Sequence, residues 1–182
     1  MSTAIDLTGF LGTIFDWIAS QNLVDKNRII EDRPNIDRPK PPYISYSILT
    51  GPGKVGSRDN ITHETNATFR ISGPRTITVS IKSYGEGSKQ IMADLCDSTE
   101  LQAVQQLFQL GNIAVWGIPL VADISAQLET GWEERSQLDM LMGATAIQDE
   151  DQGKIETVEY TGDVKDQEGN TQVSVDDTVT IP

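Results

Sequence analysis

The sequence predicts an α+β fold: a mostly antiparallel sheet packed against helices in a single domain, with an extended arm near the N-terminus and an acidic tail at the C-terminus. Three observations carry this. One helical stripe opens the chain, period-two alternation recurs at 43–49, 75–84 and 133–147, and two more helical stripes fall between the strand patterns. The 182 residues are the length of one domain, and 37% hydrophobic residues are enough for a real core.

Over 6–21, Leu7, Phe10, Leu11, Ile14, Phe15 and Ile18 recur at helical spacing, with Ser2 and Thr3 as caps before them. Residues 25–40 mix charges of both signs and run into Pro39, Pro41 and Pro42, which forbid a helix; a short strand over 28–30 and an extended, solvated arm are expected. In 43–49, Ile44, Tyr46 and Ile48 alternate with Ser45 and Ser47, a half-buried strand. The glycine-rich loop 51–60 fails the phosphate-loop pattern, because Val55 follows Lys54 and a strand follows where a helix is required.

Two strands over 64–71 and 75–84 meet at Gly73-Pro74, and the second sends Ile77, Val79 and Ile81 to one face. A helix capped by Ser88 buries Ile91, Met92 and Leu95, and another capped by Ser98 runs to Gly111. A strand over 113–118 stops at Pro119. The alternating segments 133–147 and 154–161 flank a polar loop at 149–153 suited to a hairpin. The division expected is a domain over 1–162 and a tail over 163–182. The tail is expected to be disordered by itself; Val173, Val175, Val179 and Ile181 share one parity and would form a strand if an edge were offered.

Net charge is −13, with 14 basic against 27 acidic residues, which argues against general affinity for phosphate backbones. The charge is uneven. Residues 1–91 hold 11 Lys/Arg and 9 Asp/Glu (+2), and residues 92–182 hold 3 and 18 (−15). This is either a solubilising acidic face or a polarity that lets one copy's first half meet the next copy's second half in head-to-tail rings or stacks. No apolar run reaches the ~20 residues of a membrane span, and no signal peptide is evident.

The inventory for catalysis is poor. One Cys (Cys96) and one His (His63) give neither a disulfide nor the usual Cys/His zinc site, and no nucleophile motif accompanies His63. Asp149, Glu150 and Asp151 lack the alternating ligand spacing of a calcium loop and read as a solvated turn. Neither cofactor nor metal is expected. Trp132, Glu133, Glu134 and Arg135 open a strand with a large aromatic and both charge signs, a pattern for core or interface packing. Trp132 and Arg135 have opposite parity, so one is expected to pack inward while the other reaches a neighbouring subunit's acids.

The runs PYISYSILT (42–50), TITVSIK (76–82), LFQLGNIAV (107–115) and above all DISAQLETGWEERSQLDM (123–140) resemble the phage neck and tail terminator family, the tail completion proteins of contractile-tailed phages. The resemblance covers roughly residues 5 to 162. It implies a non-enzymatic virion protein that forms a ring, usually sixfold, at the head-proximal end of the tail, ends tail-tube growth and joins the tail to the head connector. The partners implied are other copies of the chain, the tail tube, the sheath protein and neck proteins. DNA would pass the channel without specific binding, no membrane is involved, and assembly takes place in the host cytoplasm. An acidic channel wall suits this, since a basic lining would hold phosphates. Interaction residues under this reading are Trp132, Glu133, Glu134, Arg135, Arg33, Arg38, Lys40, Lys54 and Arg58. The alternatives are another neck or head-completion adaptor, or a small enzyme or ligand-binding domain using His63 and nearby carboxylates.

Overall fold

The computed structural model describes residues 5–33, 37–57, 59–63, 68–117, 120–128, 131–151, 157–165 and 171–180. In chain order the elements are α1 (Leu7–Ser20), β1 (Ile29–Glu31), β2 (Tyr43–Lys54), β3 (Asn60–His63), β4 (Thr68–Tyr84), α2 (Ser88–Ser98), α3 (Gln102–Leu110), β5 (Ile113–Gly117), β6 (Ala122–Asp123), β7 (Ala126–Leu128), β8 (Gly131–Glu133), β9 (Arg135–Asp151), β10 (Thr157–Lys165) and β11 (Thr171–Thr180). The fold is α+β with a mostly antiparallel sheet, and the chain divides into two units, residues 1–60 with 71–148 and residues 61–70 with 149–182.

In the first unit α1 forms because its stripe has something to bury against. Phe10, Ile14, Trp17 and Ile18 are buried. The helix is capped by Asp6, whose carboxylate accepts from the Gly9 amide at 2.9 Å; the expected caps Ser2 and Thr3 lie outside the described residues. A Cβ at position 9 would stand 2.5 Å from that carboxylate, so the helix tolerates the low propensity of Gly9 in return for a closed cap.

The sheet runs in the order β1-β2-β4-β9-β5, with β6 paired to β9 and β3 to β4. β1 is parallel to β2, one residue later than the expected 28–30, while β2 pairs antiparallel with β4, as does β5 with β9. The alternation read from the sequence sets the buried face: Ile44 and Tyr46 of β2, Ile77, Val79 and Ile81 of β4, and Leu138, Met140 and Met142 of β9 join one cluster with all three helices. The two strands expected on either side of Gly73-Pro74 are one continuous strand, β4. At the sheet's edge the ring of Trp116 lies on Gly143, where a Cβ would come within 2.5 Å of it.

Two expected caps are corrected. Ser88 does not cap α2; Gly87, at φ +76°, holds the N-cap position, and its amide donates to a Glu134 carboxylate oxygen at 2.9 Å. Ser88 is turned inward, its hydroxyl 3.3 Å from that of Ser136. Nor does Ser98 cap α3, whose N-cap is Leu101. Its hydroxyl accepts the Trp17 indole N–H at 3.0 Å and donates to the Leu95 carbonyl at 2.7 Å. The Trp17 ring meets Phe108 of α3 edge to face at 5.3 Å, so one side chain of α1 ties all three helices together.

In the second unit Arg70 grips Asp149 through two hydrogen bonds of 2.8 and 3.0 Å, which hold the Asp149 carboxyl below its ordinary value. β10 pairs with β11 in antiparallel register from Thr157↔Thr180 to Val164↔Val173. This corrects two expectations. The partner of the segment after the polar loop is β11, not the strand over 133–147, and the tail is a strand rather than disordered. Backbone groups explain both: 171–180 offers an edge to 157–165, and alternation alone does not say which edge a strand takes.

Ser98→Ala should lower unfolding stability by about 1–3 kcal/mol, because it leaves the buried indole N–H of Trp17 without an acceptor. Urea unfolding of the variant beside the natural protein checks this. An unchanged midpoint would mean that the indole finds another acceptor.

Candidate functional site

The sequence-predicted residues fall into two groups at opposite ends of β2. The first surrounds Tyr43 and Tyr84, register partners at the ends of β2 and β4, whose rings stack at 4.5 Å and 9°. The Arg135 guanidinium stands over the Tyr84 ring, 5.5 Å from its centre, and is paired with the Glu133 carboxylate. The Arg38 guanidinium lies close enough to the Tyr43 hydroxyl to act on it electrostatically. Burial and Tyr84 push that phenol above its ordinary value while Arg38 pulls it down. The backbone locks Arg135 as well, since its amide donates to the Ser125 hydroxyl at 3.0 Å and its carbonyl accepts from Ile124 at 2.9 Å.

Trp132 differs. It sits in the β7–β8 hairpin opposite Gln127, after Gly131 at φ +141°, and its side chain is 69% exposed. The parity expectation therefore inverts: the aromatic points to solvent and the arginine is satisfied within its own chain. Glu134 interrupts the strand pattern between β8 and β9, so alternation does not carry from 132 to 135. The Glu134 carbonyl and carboxylate instead accept from the amides of Gly85 and Gly87.

The second group is built on Asp59. Its carboxylate receives both Arg75 guanidinium nitrogens at 2.9 Å and lies 3.3 Å from Lys54 Nζ. Gly73 makes the space, since a Cβ there would fall 1.9 Å from the Asp59 oxygen. The Arg75 hydrogen bonds, with Lys54 in support, lower the Asp59 carboxyl to about 2. Lys54 is thus a partner in a structural ion-pair network. Arg33 pairs with Glu31, Lys40 is exposed, and Arg58 lies outside the described residues. Asp59 and Arg75 leave no signal in the sequence, because they stand sixteen positions apart and neither stands in a motif.

The chemistry of these groups is that of packing and recognition. Cys96 is half-buried, and burial followed by the neighbouring Asp97 raises its thiol, which disfavours the reactive thiolate. Among the described residues no three His, Cys, Asp or Glu side chains are placed to hold a metal ion, and no helix is long and apolar enough to cross a membrane. The His63 side chain is outside what the structure describes.

Two predictions follow from the geometry. Arg135→Ala should cost on the order of 1–2 kcal/mol of stability through the lost contact with Tyr84, while Trp132→Ala should stay within about 0.5 kcal/mol, as read by urea unfolding. The second concerns acid. A carboxyl held at about 2 in the fold, below its ordinary 3.8, contributes stability that is fully present above pH 4 and is lost as pH falls towards 2. Asp59→Asn should flatten that part of the stability–pH curve; a variant as acid-sensitive as the natural protein would contradict it.

The chain was compared with known proteins. A sequence search finds no curated protein that matches it. A family model described as phage neck terminator protein matches residues 6–171, which takes in the first unit from α1 onward, both residue groups and the chain to the start of β11. With that match over most of its length, on an α+β fold, the chain belongs to the phage neck terminator protein family.

Proposed function

We propose that the protein is a non-enzymatic structural subunit that forms a ring, sixfold as the resemblance implies, at the head-proximal end of a phage tail. There it ends growth of the tail tube and joins the tail to the head connector. The observation that carries this reading is the family match over residues 6–171. The build of the molecule supports it: the charged side chains near Trp132 are spent on holding Tyr84, Gly85 and Gly87, which leaves a rigid platform beneath an exposed aromatic, the composition of an interface anchor. The ring's neighbours are the tail tube and sheath below it and neck proteins above it. The acidic surplus of residues 92–182 lets DNA pass without being held. Of the nine interaction residues read from the sequence, Trp132 is the one assigned to a partner here. Glu133, Glu134 and Arg135 are engaged with Tyr84, Gly85 and Gly87 beside it, and Arg38 and Lys54, both exposed, adjoin the Tyr43 and Asp59 groups.

Phage lacking the chain should yield unjoined heads and tails of irregular length, seen by negative-stain microscopy, and supplying the chain in trans should restore joined particles of one tail length. The purified chain bound to tail ends should image as a closed ring. Tails of normal length joined to heads in its absence would reject the function.

A further inference from the structure

The two edges of the sheet differ in a way that one chain cannot use. At one edge, β1 lies opposite Ile44–Tyr46, which lie opposite Ile81–Ser83 of β4. At the other, β6 lies opposite Ser136 and Gln137 of β9, and the Gly85 amide donates to the Glu134 carbonyl, so the end of β4 adjoins the start of β9. β1 and β6 therefore stand at the same end of the sheet, on opposite edges, four strand spacings or about 19 Å apart. No strand among the described residues pairs with the outer side of either.

What each edge carries is complementary. From β6 through β8, Leu120, Ile124, Leu128 and Trp132 are all exposed, and Leu120 is 92% exposed. The same stretch, 120–134, holds four acids and no Lys or Arg. Just before β1 a cleft of about 470 Å³ is lined by Leu23, Val24 and Pro42, by Asn22, and by Lys26, Arg28 and Asp25; Arg28 is paired with Asp25 at 3.7 Å, which leaves Lys26 as the surplus charge. Residues 22–42 around it hold five Lys/Arg against four Asp/Glu. An acidic lobe with exposed apolar side chains lies at one edge, and a cleft of mixed lining with one surplus positive charge lies at the other.

We infer that the β6–β8 lobe of one copy docks in the cleft beside β1 of the next copy. The occupant is a second copy of this chain because lobe and cleft have opposite charge, stand at one level of the sheet and are each unfilled in the single chain. Two different surfaces meeting make a head-to-tail contact, which repeats around an axis and closes into a ring. The inference rests on the ring reading above and adds the surfaces that make the contact. Leu120 and Trp132 supply the apolar burial, and Lys26, the cleft's surplus charge, meets the exposed Asp123 of the lobe and selects the orientation, since Glu133 and Glu134 are engaged within their own chain.

The test uses assembled phage particles carrying the full chain with Cys96→Ser and either Asn27→Cys, Ala122→Cys or both; positions 27 and 122 are exposed and lie beside the cleft and in the lobe. A short bis-maleimide should convert the double variant into a ladder of trimers and larger multimers on a denaturing gel, and neither single variant should give more than dimers. Particles that hold the double variant at the neck yet release only monomers would overturn the contact and leave the ring reading standing. A chain absent from the neck would overturn both. If the double variant yields no particles, Leu120→Asp decides: with native circular dichroism, at least a tenfold fall in infectious particles is expected, and a natural yield would overturn the inference.

Discussion

The Trp17 indole is the joint on which the helical layer depends. α1 has two glycines and no basic residue in its last turn, and its own propensity does not hold it; its stripe has to be held from outside. One hydrogen bond to Ser98 and one edge-to-face contact with Phe108 fix it against the end of α2 and the body of α3. Because Ser98 also donates to the Leu95 carbonyl, the indole is bonded to an acceptor already oriented by helix α2. A polar contact in a dry core constrains more than an apolar one, since the layer has one arrangement in which the donor is satisfied. The sheet's inner face, from Ile44 to Met142, is shaped against that arrangement.

Away from that joint the division of labour is different. Charged residues there are chiefly structural: Arg135 with Glu133, Arg75 with Asp59, Arg38 with Tyr43. Pairing inside the chain removes them from the set of groups a partner would meet first. The outermost positions are left to apolar side chains such as Leu120 and Trp132. For a protein of the phage neck terminator family, whose work is contact with other proteins, this suits a surface that must be stiff before it is buried.

How much of this was legible in the sequence depended on range. The faces of α1, β4 and β9 followed from periodicity, because burial on one side is a local pattern: Ile77, Val79 and Ile81 could face only one way together. The caps failed because their partners are distant. Ser88 reads as a cap until Ser136, forty-eight residues on, claims its hydroxyl and Glu134 takes over the end of α2. Alternation showed that residues over 171–180 suit a strand without naming β10 as the partner. In the candidate site Trp132 and its acidic neighbours were visible as an unusual cluster, but their directions were not, because a break at Glu134 resets the alternation. Asp59 with Arg75 left no local trace at all, since they stand sixteen positions apart and the space for the ion pair is made by Gly73 of β4.

The place of β9 between β4 and β5 sets the order in which the molecule can come into being. Fifty residues separate Tyr84 from Arg135, and until the second is made the inner face of β4 has no neighbour on that side. At ordinary translation speeds of about 5–20 residues per second, that interval lasts roughly 3–10 seconds. At its start Ile77, Val79 and Ile81 have only β2 and the N-terminal helix for shelter, and α2 and α3 join them as they emerge. Closing the sheet is a long-range event that follows synthesis of the C-terminal third. The exposed apolar side chains of Leu120, Ile124, Leu128 and Trp132 emerge just before the strand that completes the core. A nascent chain thus finishes this apolar outer stretch and its interior almost together, which shortens the time in which that stretch is displayed on an unfinished body.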